Sequence, residues 1–261
     1  MTSRKTAFIL ANADHGTMIV NRLDFNRNES ASLSYGVGYS LLEEGCYDPN
    51  DVRCLKSILS VLRQLRGDGI MALDVGANIG VHTLEWARHM TGWGSVLAVE
   101  AQERIFYALA GNIALNNCFN ATALNIAMAD TVTRMKIPQP DYTLPGSFGS
   151  LELQPRAESE FIGQEIRYDD AAMAEIETRT IDSLALGRLD LLKIDVEGME
   201  MAVLHGARTM IARHRPVLFI EHIKLDFGAL EAFIDLEQYQ MINVGMNMIA
   251  YHRDDPVASY L

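Results

Sequence analysis

The stretch Ile70-Met-Ala-Leu-Asp-Val-Gly-Ala-Asn-Ile-Gly80 decides the fold. It begins as an apolar run of strand length, interrupted by Asp74 and stopped at Gly76. From Val81 to Met90 the apolar spacing turns helical. A strand that passes through glycines directly into a helix is the opening unit of a parallel α/β sheet. The glycines stand as Gly76-x-x-x-Gly80, with Asn78 between them. A dinucleotide turn needs G-x-G-x-x-G, so no pyrophosphate cradle is expected. The turn still lets backbone run close to a ligand.

The same alternation continues downstream. The pattern predicts a strand at Ser95–Val99, a helix at Arg104–Asn116 and a strand near Ala121–Ile126. After a break come a strand at Leu189–Ile194, a helix at Met199–Arg213, a strand at Val217–Ile220 and a helix at Asp226–Leu236. Met241–Tyr251 reads as two strands turning near Gly245-Met246-Asn247, which would make one strand antiparallel. The expected fold class is a doubly wound α/β sheet, mostly parallel, with helices on both faces. Residues 131–180 break the rhythm with Pro138, Pro140, Pro145, Gly146 and Gly149. Short strands are expected there at Leu151–Leu153 and Glu165–Tyr168, and Phe148–Glu152 is a candidate lid.

Upstream, Thr6–Leu10 and Met18–Val20 flank the turn-rich Asn12-Ala-Asp-His-Gly16. This predicts a β-hairpin cap over residues 1–45, ahead of a main domain at 46–261. Asp48-Pro-Asn-Asp51 offers an N-cap for a helix carrying Leu55, Ile58, Leu59, Leu62 and Leu65, which Gly67 ends.

Composition narrows the functions. The chain has 261 residues, 22 basic against 34 acidic, for a formal net charge of -12. Such a surface repels phosphate backbones, so a nucleic-acid partner is not expected. Three cysteines without CxxC spacing argue against a disulfide framework or zinc site and fit a cytoplasmic setting. No run is long and apolar enough for membrane insertion. The hairpin is a candidate contact for a homodimer.

The turn is the centre of a candidate nucleotide-type site. Glu100 closes the next strand, where a carboxylate accepts hydrogen bonds from both ribose hydroxyls. Asp130, and Ala127 through its backbone, are expected near an adenine edge. Asp74 is expected to meet the amino group of a methionine moiety. Thr83, with amides at the helix N-terminus, would hold its carboxylate. Gly76, Asn78 and Gly80 complete the donor set.

Leu73-Asp-Val-Gly-Ala-Asn-Ile-Gly-Val-His-Thr-Leu84 and Leu192-Lys-Ile-Asp-Val-Glu-Gly-Met-Glu200 resemble the motifs of FkbM-type methyltransferases. Val203–Ala207 and Pro216–Glu221 extend the likeness, which runs from about residue 70 to about 250. The resemblance implies a class I, Rossmann-like methyltransferase fold with a seven-stranded sheet. It also implies S-adenosylmethionine as cofactor and methyl transfer to a hydroxyl of a sugar, glycan or small natural product. Residues 1–69 and 131–180 fall outside it and are expected to determine the acceptor.

Methyl transfer to a hydroxyl needs alignment and a proton acceptor. Asp195 and Glu197 follow one strand, and Glu221 and His222 follow the next. Three readings stay open. Glu197 or His222 acts as base, with Asp195 beside it. Alternatively, Asp195, Glu221 and His222 hold Mg²⁺. In the third, Glu197 and Glu200 cap the next helix and Glu221 pairs with Lys193 or Lys224. Competing functions are an N- or protein methyltransferase, disfavoured because no Asn/Asp-Pro-Pro-Tyr/Phe tetrapeptide follows the fourth strand, and a noncatalytic nucleotide-binding protein.

Overall fold

The computed structural model describes residues 5–28 and 33–261. Residues 1–4 and 29–32 of the expected cap lie outside the described residues. The chain opens with an antiparallel hairpin, β1 (Phe8–Ala13) and β2 (Gly16–Asn21). A short pair follows, β3 (Asn26–Asn28) and β4 (Leu33–Tyr35), then α1 (Val37–Glu43) and α2 (Pro49–Arg66). Leu55, Ile58, Leu59 and Leu62 form the buried stripe of α2. The expected cap by Asp48 is not made: its backbone is left-handed, at φ 46°, and its side chain makes no capping hydrogen bond.

The alternating region runs β5 (Ile70–Val75), α3 (Val81–His89), β6 (Gly94–Val99), α4 (Glu103–Leu115) and β7 (Ala121–Leu124). Next come β8 (Ala127–Met128), β9 (Thr133–Pro138) and β10 (Met173–Arg179). The chain then forms β11 (Leu191–Ile194), α5 (Glu200–His205), α6 (Arg208–His214) and β12 (Val217–Glu221). It closes with α7 (Phe227–Leu236), β13 (Tyr239–Val244) and β14 (Asn247–His252).

Seven strands share one sheet in the order β13-β14-β12-β11-β5-β6-β7, and only β14 runs against the rest. Period-two alternation gives the sheet two faces. Ile70, Ala72, Leu191 and Phe219 pack with α2 and α3 on one. Leu73, Val75, Leu192, Ile194 and Ile220 pack with α5 and α7 on the other. Register aligns Val75 with Val99 and with Ile194, and Ile194 with Ile220. The residues that follow them therefore emerge along one edge of the sheet.

Two further expectations change. Among the described residues, 151–153 and 165–168 are not strands. Leu151 and Leu153 are instead buried after a short 3₁₀ turn that carries the fully buried Phe148. The strands of this region are β9 and β10, both alternating in polarity, which form a small sheet in the order β8-β10-β9. The helix expected over Met199–Arg213 is two helices. At Gly206 a side chain would sit 2.1 Å from the Ala129 carbonyl oxygen. There the chain turns, and Asp182 accepts hydrogen bonds from Thr209 N and Met210 N, 3.0 and 2.8 Å away, to start α6.

The hairpin is fastened to the main sheet layer by Asn112, fully buried on α4. Its Oδ1 accepts from Ile19 N at 2.5 Å, and its Nδ2 donates to Ile79 O at 2.8 Å. One amide thus joins β2 to the turn after β5.

Candidate active site

Three left-handed residues shape the β5–α3 turn: Gly76, Asn78 and Gly80, at φ 77°, 50° and 95°. At Gly76 a Cβ would sit 1.7 Å from the carbonyl oxygen of Asp195. Only glycine allows the end of β5 to lie that close to the end of β11. Gly80 serves packing, since a Cβ there would meet Leu109 Cδ1 at 2.6 Å. Glu100, at the end of β6, is buried and accepts from Asn78 N at 3.0 Å and Gln102 N at 2.8 Å. These bonds tie the turn to the neighbouring strand end. They fill one position on each carboxylate oxygen and leave the others for a ligand. Burial pushes Glu100 up to about 7, against those two amides.

The turn and Glu100 stand on a cavity of about 550 Å³. That volume lies in the range of small-molecule and cofactor sites. Ile126, Ala127 and Met128 form the side next to Glu100. Asp195, Glu197 and Glu221 line it on the β11–β12 side, with one oxygen from each carboxylate within 4.8 Å of the others. Tyr35, Tyr47 and Asp48 close it from the N-terminal segment, and Ser150, Leu151 and Glu160 from the loop before β10.

Two lysines hold the carboxylates. Lys193 pairs in register with Asp74 across β11 and β5, so both side chains enter the same buried sheet face. Its Nζ lies 3.0 Å from Asp195 Oδ2 and 3.7 Å from Asp74 Oδ1. Burial works to lower the Lys193 pKa, but Asp195 and Asp74 outweigh it and the net shift is upward. Lys224 contacts Glu197, Glu160 at 3.0 Å and Glu152 at 3.6 Å. Arg156 of the same loop donates to the Lys224 carbonyl at 2.8 Å. Burial, then the charge of Asp195, raises Glu197 to about 7 even with Lys224 in contact. Burial, Asp195 and Glu197 push Glu221 up to about 9, and its Oε2 has no hydrogen-bond partner.

Of the expected site residues, Gly76, Asn78, Glu100, Ala127, Asp195, Glu197 and Glu221 line the cavity. The others stand elsewhere. Asp74 is fully buried below the turn and accepts from Thr83 Oγ1 at 2.6 Å. Thr83 thus occupies Asp74 Oδ2 while Asp74 Oδ1 has no hydrogen-bond partner, and neither residue lines the cavity. Asp130 is exposed and bonds its neighbour Thr131. His222 is absent from the cavity wall; its ring packs on Phe227 and its Nε2 lies 3.3 Å from Asn243 Oδ1. The metal set Asp195, Glu221 and His222 is therefore not assembled. The carboxylate trio with Glu197 does not suit an ion as it stands, because Lys193 and Lys224 already contact Asp195 and Glu197. Glu200, not Glu197, closes the loop before α5, accepting from Val196 N and Gly198 N at 3.1 and 3.0 Å.

Sequence reasoning missed Tyr47, Asp48 and His82 as cavity residues, and it paired Lys193 or Lys224 with Glu221, where the structure pairs Lys193 with Asp195 and Lys224 with Glu197. A usable signal existed for Lys193: a cation inside the apolar run Leu191–Ile194 must find a buried partner.

A family model for the methyltransferase FkbM domain matches residues 74–241, and the chain belongs to that family. Methyltransferase sdnD of Sordaria araneosa is 25% identical over 157 residues, which cover 51% of this chain and 59% of that protein. The crystal structure of methyltransferase FkbM from Methylobacillus flagellatus KT aligns with a TM-score of 0.50 at 18% identity, over 71% of this chain and 44% of that one. The chain thus spans less than two thirds of either relative. The structural likeness is one of fold, the class I methyltransferase α/β sheet.

Proposed function

We propose that this chain is an S-adenosylmethionine-dependent methyltransferase acting on a hydroxyl of a sugar, glycan or small natural product. One observation carries the reading: a single cavity joins Glu100 to the trio Asp195, Glu197 and Glu221. Glu100 follows β6 and Glu221 ends β12, three strand spacings apart in the sheet. That is about 14 Å, the span of an extended nucleoside with an amino-acid tail plus a reacting group beyond it.

The residues fit this cofactor. Glu100 has free acceptor positions for two ribose hydroxyls, and the Gly76–Asn78 backbone leaves room for close approach. Ala127 and Met128 offer an apolar side for a base. Bound there, the cofactor supplies an electrophilic methyl group. Glu197 is the proposed general base, raised to about 7, near the pH at which it would work. Lys224 orients it, and Lys193 holds Asp195 beside it. Leu151 and Leu153 keep water from the wall. Membership of the FkbM family supports methyl transfer, and the preference for oxygen rests on the carboxylate base.

Calorimetry tests the donor, and a screen of acceptors with labelled methyl donor tests the reaction. S-adenosylmethionine or its demethylated product is expected to bind, and NAD is not. NAD binding with neither of those ligands bound would sink the proposal. Turnover is expected to persist in excess chelator, because Lys193 and Lys224 already contact Asp195 and Glu197 where a metal would have to bind.

A further inference from the structure

The cavity wall is short of positive charge. Asp48, Glu100, Glu160, Asp195, Glu197 and Glu221 all line it, while Lys193 is the one cationic side chain that does so among the described residues. Lys224 stands behind Glu197 and is shared with Glu152 and Glu160. Glu152 is itself buried, with only 3% of its side chain exposed, and its Oε2 has no hydrogen-bond partner. His82 lines the cavity at 7% exposure, with Nδ1 lacking a partner. Burial, then Lys193 and His15, hold its pKa well below the usual histidine range, so it adds no cation. Lys193 and Lys224 pair with Asp195 and Glu197 but are outnumbered by the lining carboxylates, and buried carboxylates in excess of their cations are costly. A ligand that brings a positive charge relieves that cost, and a neutral ligand of the same shape does not.

We propose that this site discriminates its donor by charge: the carboxylates of Asp195 and Glu197 make it bind the sulfonium S-adenosylmethionine more tightly than neutral S-adenosylhomocysteine. The inference rests on the donor reading above. The two ligands differ by one methyl group and one positive charge. Transfer requires the methyl carbon about 3–3.5 Å from the acceptor oxygen. That oxygen must lie about 2.6–3.2 Å from its base. The sulfur is one bond further, so it falls within about 8 Å of the base carboxylate. At that separation in a partly buried site, one unit charge changes affinity about tenfold or more. As the O–C bond forms, the C–S bond breaks, its electron pair stays on sulfur and the hydroxyl proton passes to a carboxylate. One positive and one negative charge disappear together. The attraction that held the donor is then gone, and the product is released from a site that no longer favours it.

The test is calorimetry on the full chain with three ligands. These are S-adenosylmethionine, S-adenosylhomocysteine and an analogue carrying a primary ammonium in place of the methylsulfonium. Both cationic ligands are expected to bind about tenfold more tightly than the neutral one. D195N and E197Q are each expected to shrink that ratio about threefold or more, with S-adenosylhomocysteine affinity retained as evidence of folding. Glu100→Gln is expected to weaken all three alike. S-adenosylhomocysteine binding as tightly as the cationic ligands, or a ratio unmoved by both variants, would overturn this inference and leave the donor reading standing. Failure of all three ligands to bind overturns the donor reading and the inference together.

Discussion

The two sides of the cavity are built differently. On the β5–β6 side, one continuous piece of chain, residues 74–102, supplies the turn and Glu100. Backbone conformation does most of the shaping, through Gly76 and Asn78. On the β11–β12 side, four distant segments contribute side chains: residues 35–48, 147–160, 195–197 and 221–224. Here charge balance does the shaping. A turn is set locally, by glycines and the strand before it. A charge network exists only once the whole sheet is in register.

This contrast predicts how each side breaks. E197Q removes the proposed base and is expected to cut labelled-methyl transfer by about 10²–10⁴-fold, while donor binding changes only a few-fold. Equal loss in both measurements would erase the division. Gly76→Ala forces a side chain against the Asp195 carbonyl at a left-handed φ. Urea unfolding should show a loss of about 2 kcal/mol or more, and unchanged stability would mean that the two strand ends can part freely.

A smaller effect belongs to the charge network alone. Its raised carboxylates include Asp48 at about 6, Glu100 and Glu197 at about 7 and Glu221 at about 9. Each is raised above its unfolded value, so its contribution is complete at low pH and fades as pH rises through the folded value. Glu85, lowered to about 2, acts the other way, but only below about pH 4.5. The melting temperature of the ligand-free protein should therefore fall by several degrees between pH 5 and pH 9. A flat profile would show the network already balanced. The mildest change is Lys224→Met, which frees Glu152, Glu160 and Glu197 from their shared ammonium. Hydrogen exchange in residues 151–161 should quicken, with protection of β5 and β6 unchanged; uniform exchange across the chain would contradict the contrast.

The sequence was most informative where geometry is local. The Gly76–Asn78 turn, the place of Glu100 beside it and the strand–helix alternation depend on nearby residues and could be read directly. Errors came where direction matters. Asp74 shares the face of Ile70 and Ala72, so alternation sends it beneath the turn toward Thr83. His222 directly follows Glu221, and neighbours in an extended chain point opposite ways. Both facts were present in the sequence but needed side-chain direction as well as position. The roles of Asp48, Tyr47 and Glu160 were beyond it, because nothing local brings residues 35–48 and 147–160 to the end of β11. The strands of 131–180 were misplaced because Leu151 and Leu153 are apolar to wall a cavity, not to pair in a sheet.

Asn112 has a consequence for exchange between relatives. Anyone seeking a new acceptor by replacing the N-terminal segment would cut near residue 45, where the main domain was expected to begin. That cut separates Ile19 from the amide that binds it and strands a buried polar group beside the donor turn at Ile79. The transplantable unit is therefore a pairing of hairpin and α4, and a chimera that swaps one without the other inherits a defect next to the proposed cofactor site.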